Sequence, residues 1–183
     1  VMAAYTGRVY VDKNKNGVFD QSEKPLAGIK VSDGLNVVET AADGSFTLPG
    51  HERERFIFIT TPSGYKTFNR HYHKIEKKQS GYDFGLIPYS GRIRKNGSHR
   101  YIHIADTEIF NTENHADWVN NVRDYARNEQ AAFIIHTGDI CYEKGLKAHI
   151  KLMNTENMDC PVFYCIGNHD LVKGKYGEEL FES

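Results

Sequence analysis

Three short segments carry the side chains in this sequence best suited to chemistry: Ile104-Ala-Asp106-Thr-Glu108, Thr137-Gly-Asp139-Ile-Cys-Tyr142 and Ile166-Gly-Asn168-His169-Asp170. Each follows an apolar run and opens into polar sequence. That pattern places carboxylates, an amide and an imidazole at the ends of three strands. In an open α/β sheet, ligands bind beyond the carboxyl ends of the strands. Hard oxygen donors and an imidazole gathered there are what two metal ions need to attack a phosphate ester. A single Asp after a strand is commonly a turn or cap residue. Three such segments, each with an adjacent Gly or a second polar group, point to a shared site.

The elements that must position these residues are legible from periodicity. Tyr101 to Ala105, Ala131 to Thr137 and Val162 to Ile166 read as strands. Trp118, Val119, Val122, Tyr125 and Ala126 fall on one helical face, with Thr112 or Asn114 as its cap, and Leu146, Ile150 and Met153 form a second helical stripe. The order β-α-β-α-β implies a parallel sheet.

Before residue 90 the character changes. Val9 with Val11, Ile29 with Val31, Val37-Val38, Phe46 with Leu48, Phe56 to Ile59 and Tyr82 to Phe84 are short β-type runs. Asp33-Gly34, Asp43-Gly44, Pro49-Gly50 and Ser63-Gly64 punctuate them. Such spacing predicts a small antiparallel β-sandwich. The expected organisation is a sandwich over 1–88, a polar linker over 89–98 and a partial α/β unit over 99–183.

Composition sets outer bounds. The chain has 183 residues, 39% hydrophobic and 26% charged, with a net charge of -1. That describes a globular protein without a global field to recruit nucleic acid. No apolar stretch approaches the ~18 residues of a membrane span. No charged-then-apolar leader opens the chain, so a signal peptide is not visible in it. Cys141, Cys160 and Cys165 share no CxxC spacing, so they read as buried thiols rather than a disulfide framework. His103 and His136 lie within strands and read as core residues. His51, His71, His73, His99, His115 and His149 have no partner at ligand spacing and are expected on the surface.

The three strand-end segments resemble the first three motifs of the calcineurin-like metallophosphoesterase family: Asp-x-His, Gly-Asp-x-x-(Asp/Asn/Tyr) and Gly-Asn-His-(Asp/Glu). The resemblance covers roughly residues 99 to 175 and implies the first half of that family's sandwich. It further implies that Asp106 binds a first metal, Asp139 bridges both and Asn168 binds the second. His169 would act at the leaving oxygen as proton donor or charge stabiliser. The reaction implied is hydrolysis of a phosphate ester by a hydroxide bridging two divalent ions (Mn, Fe, Zn or Mg). Glu108 stands where the family has His. As a metal ligand it favours hard ions such as Mn²⁺ or Mg²⁺ over Zn²⁺, and it could equally have lost the contact. The family's later histidines, a lone His and a Gly-His-x-His, find no match after Asp170. The chain therefore reads as the N-terminal part of a longer enzyme, weak or inactive alone, whose missing C-terminal part is its first partner. The substrate implied is a small-molecule, lipid or polymer phosphoester. The alternative is a non-catalytic binding or adhesive protein with a degenerate phosphatase half. An aspartate phosphoacceptor of the receiver type needs an acidic pair and a later Lys that are not evident.

A second motif lies near the N-terminus. Asp12, Asn14, Asn16 and Asp20 fall at positions 1, 3, 5 and 9 of a calcium loop. Gly17 takes position 6, Val18 offers the carbonyl at 7 and Glu23 closes position 12. Strands rather than helices flank it, so the alternative is an Asn/Gly-rich hairpin without an ion. The segment resembles calcium-loop β-modules of bacterial surface proteins and the prealbumin-like domain that precedes some bacterial metallophosphoesterases. Asp43-Gly-Ser-Phe46-Thr-Leu48 resembles the carboxypeptidase-regulatory-like signature. A bound Ca²⁺ suits millimolar extracellular calcium, which implies an exported protein, periplasmic or secreted.

Overall fold

The computed structural model describes residues 4–68, 70–77, 79, 81–92, 94–109, 113–140, 143–172 and 175–176. Thr112, expected as a helix cap, and Cys141 and Tyr142 of the second motif lie outside the described residues. The chain divides into two compact units, Val1–Gly91 and Arg92–Ser183. Among the described residues, no helix is long and apolar enough to cross a membrane.

The first unit contains eight strands: β1 (Ala4–Val11), β2 (Lys30–Ser32), β3 (Val37–Glu39), β4 (Ser45–Pro49), β5 (Phe56–Ile59), β6 (Tyr65–Thr67), β7 (Tyr72–Lys74) and β8 (Phe84–Pro88). They form two four-stranded sheets of order β4-β1-β8-β6 and β3-β2-β5-β7. Alternation sends Phe46 and Leu48 of β4, Ile57 and Ile59 of β5, and Phe84 and Leu86 of β8 inward. They meet Val9, Val31 and Tyr82 in one apolar core. Each large apolar side chain so buried contributes roughly 1.5–3 kcal/mol.

Three details differ from the expected antiparallel sandwich. One pairing is parallel: β1 runs alongside β8 with Val9 opposite Phe84. The intervening strands cross between sheets, so β8 returns in the direction of β1. The strand expected over Pro25 to Val31 begins only at Lys30; Pro25 forms an isolated bridge to Tyr10, since its ring nitrogen cannot donate to a ladder. Strands β6 and β7 were not foreseen. They are short, half-buried edge strands, and the tract that holds them carries no alternation to detect.

The second unit is a β-α-β-α-β succession: β9 (Tyr101–Ile104), α1 (His115–Asn128), β10 (Phe133–His136), α2 (Glu143–Leu152) and β11 (Val162–Tyr164). A two-stranded hairpin of β12 (Leu171–Val172) and β13 (Lys175–Tyr176) follows. The three long-range strands are all parallel, with β10 central. Ile102, Ile104, Ile134 and Val162 pack against Val119, Val122 and Ala126 of α1 and against Met153, Met158 and Cys160. The helical stripes are narrower than expected, because Tyr125 and Ile150 are exposed. Asn114 occupies the cap of α1 with φ 58 and makes no side-chain cap bond. Cys165, just past β11, is exposed rather than buried.

The histidines depart most from expectation. His103 lies on the open face of the sheet, where its Nε2 meets Thr137 Oγ1 at 2.9 Å. His115 and His149 are buried rather than on the surface. Their rings lie 5.4 Å apart, and His149 lies 5.6 Å from His136. Helix α2 carries His149 on the same face as Leu146 and Met153, so packing of that stripe takes the imidazole inward. Both ring nitrogens of His149 lack a hydrogen-bond partner among the described residues. Burial, together with the neighbouring His136 and His115, pushes its pKa down to about 3.

The sign of the consequence follows from linkage. The unfolded chain binds the proton below about pH 6.5, and the folded unit refuses it until near pH 3. This contribution to stability is complete above the unfolded value and is lost progressively as pH falls between the two. We expect denaturant unfolding followed at Trp118 to show a loss of about 2 kcal/mol on going from pH 6.5 to pH 5. The His149→Leu variant should flatten that dependence.

Candidate functional site

The three polar segments leave the C-terminal edge of the parallel sheet side by side. The first and second remain zipped past the strands. Asp106 N–H donates to Gly138 O at 3.1 Å, Glu108 N–H to Asp139 O at 3.0 Å, and Ile109 N–H to Ile140 O at 3.0 Å. The second and third segments touch backbone to backbone. A Cβ on Gly138 would lie 2.6 Å from Gly167 N, and one on Gly167 would lie 2.2 Å from Asp139 N. No side chain fits at either position.

Asp170 ties these two loops together. Its carboxylate is buried; Oδ1 accepts Ile140 N–H at 2.6 Å and Oδ2 accepts Gly167 N–H at 2.7 Å. Below the site, His136 Nδ1 accepts Gly138 N–H at 3.2 Å, which places the ring proton on Nε2. Nε2 donates to Thr107 Oγ1 at 3.0 Å, and Thr107 donates to Ile140 O at 2.9 Å. These supports were not among the expected site residues. Only Asp170 had a sequence signal, as the last residue of the third motif.

Asp106, Glu108 and Asp139 all adopt positive φ, at 53°, 39° and 51°. This left-handed backbone is unfavourable for residues with a Cβ, and three instances at one sheet edge mark a strained turn cluster. Asp139 Oδ1 accepts the His169 N–H at 2.7 Å. His169 Nδ1 donates to Glu108 Oε1 at 2.8 Å and stands 3.9 Å from Asp139 Oδ2. Ligand atoms of Glu108, Asp139 and His169 all lie within 4.8 Å of one another. Asp106 is exposed beside them, close enough that its charge acts on His169. Asn168 is exposed on the same turn as His169. The hydrogen bond that His169 gives to Glu108, then the charge of Asp139, raise the His169 pKa above its usual value.

The donor set is carboxylate oxygen with one imidazole, converging on an open sheet edge. That chemistry fits a divalent cation. Repulsion among the carboxylates is relieved by His169, whose ring bonds Glu108 and whose backbone N–H bonds Asp139.

The N-terminal loop is wrapped by its own side chains. Asp12 Oδ2 accepts Gly17 N–H at 2.8 Å and its Oδ1 accepts Asn16 N–H at 3.1 Å. Asn14 Oδ1 accepts Asn16 N–H and Asn16 Oδ1 accepts Val18 N–H. Glu23 folds back so that Oε1 accepts Lys13 N–H at 2.9 Å and Oε2 accepts Asp20 N–H at 3.2 Å. Asp12 and Glu23 are buried, while Asn14, Asn16 and Val18 are exposed. The carboxylates of Asp12, Asp20 and Glu23 do not all close to within 4.8 Å of one another.

Two measurements follow from this geometry. In the metal-free chain, His169 should titrate by NMR above about 6.5, and Glu108→Gln should bring it back toward that value. Gly167→Ala should separate the second and third loops, with a stability loss of about 1–3 kcal/mol in denaturant unfolding and loss of the His169 shift.

Two family models match the chain. One, described as the N terminal of calcineurin-like phosphoesterase, matches residues 13–88. The other, described as calcineurin-like phosphoesterase, matches residues 99–182 and so contains every strand-end residue named above. No curated protein matches the chain. With consecutive models of one family matched in order and the motif side chains gathered at one sheet edge, the chain belongs to the calcineurin-like phosphoesterase family.

Proposed function

We propose that this chain takes part in metal-dependent hydrolysis of phosphate esters at the edge formed by β9, β10 and β11. The observation that carries this reading is the convergence of Glu108, Asp139 and His169 within 4.8 Å, on three segments that span 61 residues of sequence. Asp106, Asp139 and Asn168 would hold two divalent ions, and Glu108 has the oxygens to join them. When bound, the ions supply Lewis-acid stabilisation of the phosphoryl oxygens and acidify the attacking water.

The chain's own residues do the rest. Asp139 is fixed by the His169 N–H, so its carboxylate faces the cavity without a search through rotamers. Glu108 holds His169 through Nδ1, which turns Nε2 toward the open side. The raised pKa favours the protonated form, the state a general acid needs. His169 would give that proton to the leaving oxygen as the P–O bond breaks. Glu108 thereby orients the acid with one oxygen, whatever the second one binds.

A second reading rests on Glu108 as well. A carboxylate engaged with His169, in place of the usual histidine ligand, also fits a non-catalytic binding protein. The Asp12–Glu23 loop supports a Ca²⁺-stabilised first unit, because buried Asp12 and Glu23 close a twelve-residue loop with the right spacing. The loop affinity expected from two Asn in place of Asp suits an extracellular or periplasmic setting.

Hydrolysis of chromogenic mono- and diesters with Mn²⁺ separates these readings. We expect turnover that falls by about a hundredfold or more in Asp139→Asn and by about 10²–10⁴ in His169→Asn. Turnover by the protein of the full open reading frame that is absent, or unchanged by Asp139→Asn, leaves the binding reading. For the loop, Ca²⁺ should raise the melting temperature of the wild type and leave the Asp12→Ala/Glu23→Ala double variant unmoved.

A further inference from the structure

We propose that Asp33, His51 and Glu54 form a separate divalent-metal site in the first unit, suited to a borderline ion such as Zn²⁺. Asp33 lies in the turn between β2 and β3. His51 and Glu54 lie in the connection from β4 to β5, which crosses from one sheet to the other. One ligand atom from each of the three lies within 4.8 Å of the other two.

Burial makes this cluster unlike a surface ion pair. The side chains of Asp33, His51 and Glu54 are 0%, 16% and 13% exposed. Two carboxylates withdrawn from water need a compensating cation. Asp33 Oδ1 accepts the Leu35 and Asn36 N–H groups at 2.9 and 2.6 Å, and its Oδ2 accepts the Asn36 side-chain amide at 3.1 Å. Glu54 Oε1 accepts the Tyr5 hydroxyl at 2.5 Å.

His51 Nδ1 accepts the Arg53 N–H at 3.2 Å. Its Nε2 is buried without a hydrogen-bond partner among the described residues. Asp33 Oδ1 lies 3.5 Å from it. Two ligands on a tetrahedral zinc with bonds of about 2.0–2.1 Å stand about 3.4 Å apart. The orphaned nitrogen and the buried carboxylate are thus already near ligand separation. Ion binding at Nε2 moves the ring proton to Nδ1, which gives up the Arg53 N–H.

One imidazole with two carboxylates favours Zn²⁺ or Mn²⁺ over the all-oxygen preference of Ca²⁺ and Mg²⁺. The ion would pin the β2–β3 turn to the β4–β5 crossing, joining the two sheets at one end. Its role is structural, and it does not depend on the strand-end chemistry of the second unit.

The test uses the full chain carrying Asp106→Asn and Asp139→Asn, with excess Ca²⁺ present to occupy all-oxygen loops. Calorimetric titration with Zn²⁺ should show uptake of one further ion, and the melting temperature should rise with it. His51→Gln in that background should weaken uptake by at least about tenfold while leaving the ion-free melt near that of its parent. Ring ¹⁵N shifts of His51 should report Nε2 as the metallated nitrogen. No Zn²⁺ uptake, uptake indifferent to His51→Gln, or unmoved His51 ring shifts would overturn the proposal.

Discussion

The close passage of Gly138 and Gly167 is the constraint on which the site depends. Parallel strands stand about 4.8 Å apart, which is too wide for short acidic side chains on neighbouring loops to share a ligand unless the loops bend together. Removing both Cβ atoms lets the loops after β10 and β11 come into backbone contact. Asp170 then binds N–H groups of both loops with one buried carboxylate, converting proximity into a fixed geometry. The positive φ values of Asp106, Glu108 and Asp139 are the local cost of aiming three acids at one space.

Those acids leave an excess of negative charge. The protein answers it in the metal-free state with N–H dipoles and one imidazole. Asp139 takes the His169 amide and Glu108 takes the His169 ring. The same arrangement that quiets the repulsion also orients His169 and raises its pKa. The first unit meets a related problem at Asp33 and Glu54, whose withdrawn carboxylates flank the His51 ring. There the charges are matched less completely, and an orphaned nitrogen remains.

Much of this was legible before any coordinates. The three apolar runs ending in acidic or amide residues became β9, β10 and β11, because one face of each strand packs against the helices and its loop must return to water. The β-type runs over the first 88 residues became most of the strands of the two sheets, because alternation and Gly turns are local signals. Strands β6 and β7 escaped because edge strands need no apolar alternation. The buried His115 and His149 escaped because imidazole is at home on either side of a surface, and only the rotation of the helices decided which.

The sequence by itself determined which chemistry was possible: hard donors at strand ends, a twelve-residue oxygen loop, and glycines beside the acids. It did so through short-range spacing, which covalent geometry fixes. Tertiary structure alone decided that Glu108 meets His169 across 61 residues, and that His51 faces Asp33 across 18. Neither contact has a local signature, since each arises from how strands from distant segments come into register. Side-chain partnership is a property of packing, and packing is settled only when the whole unit has closed its core.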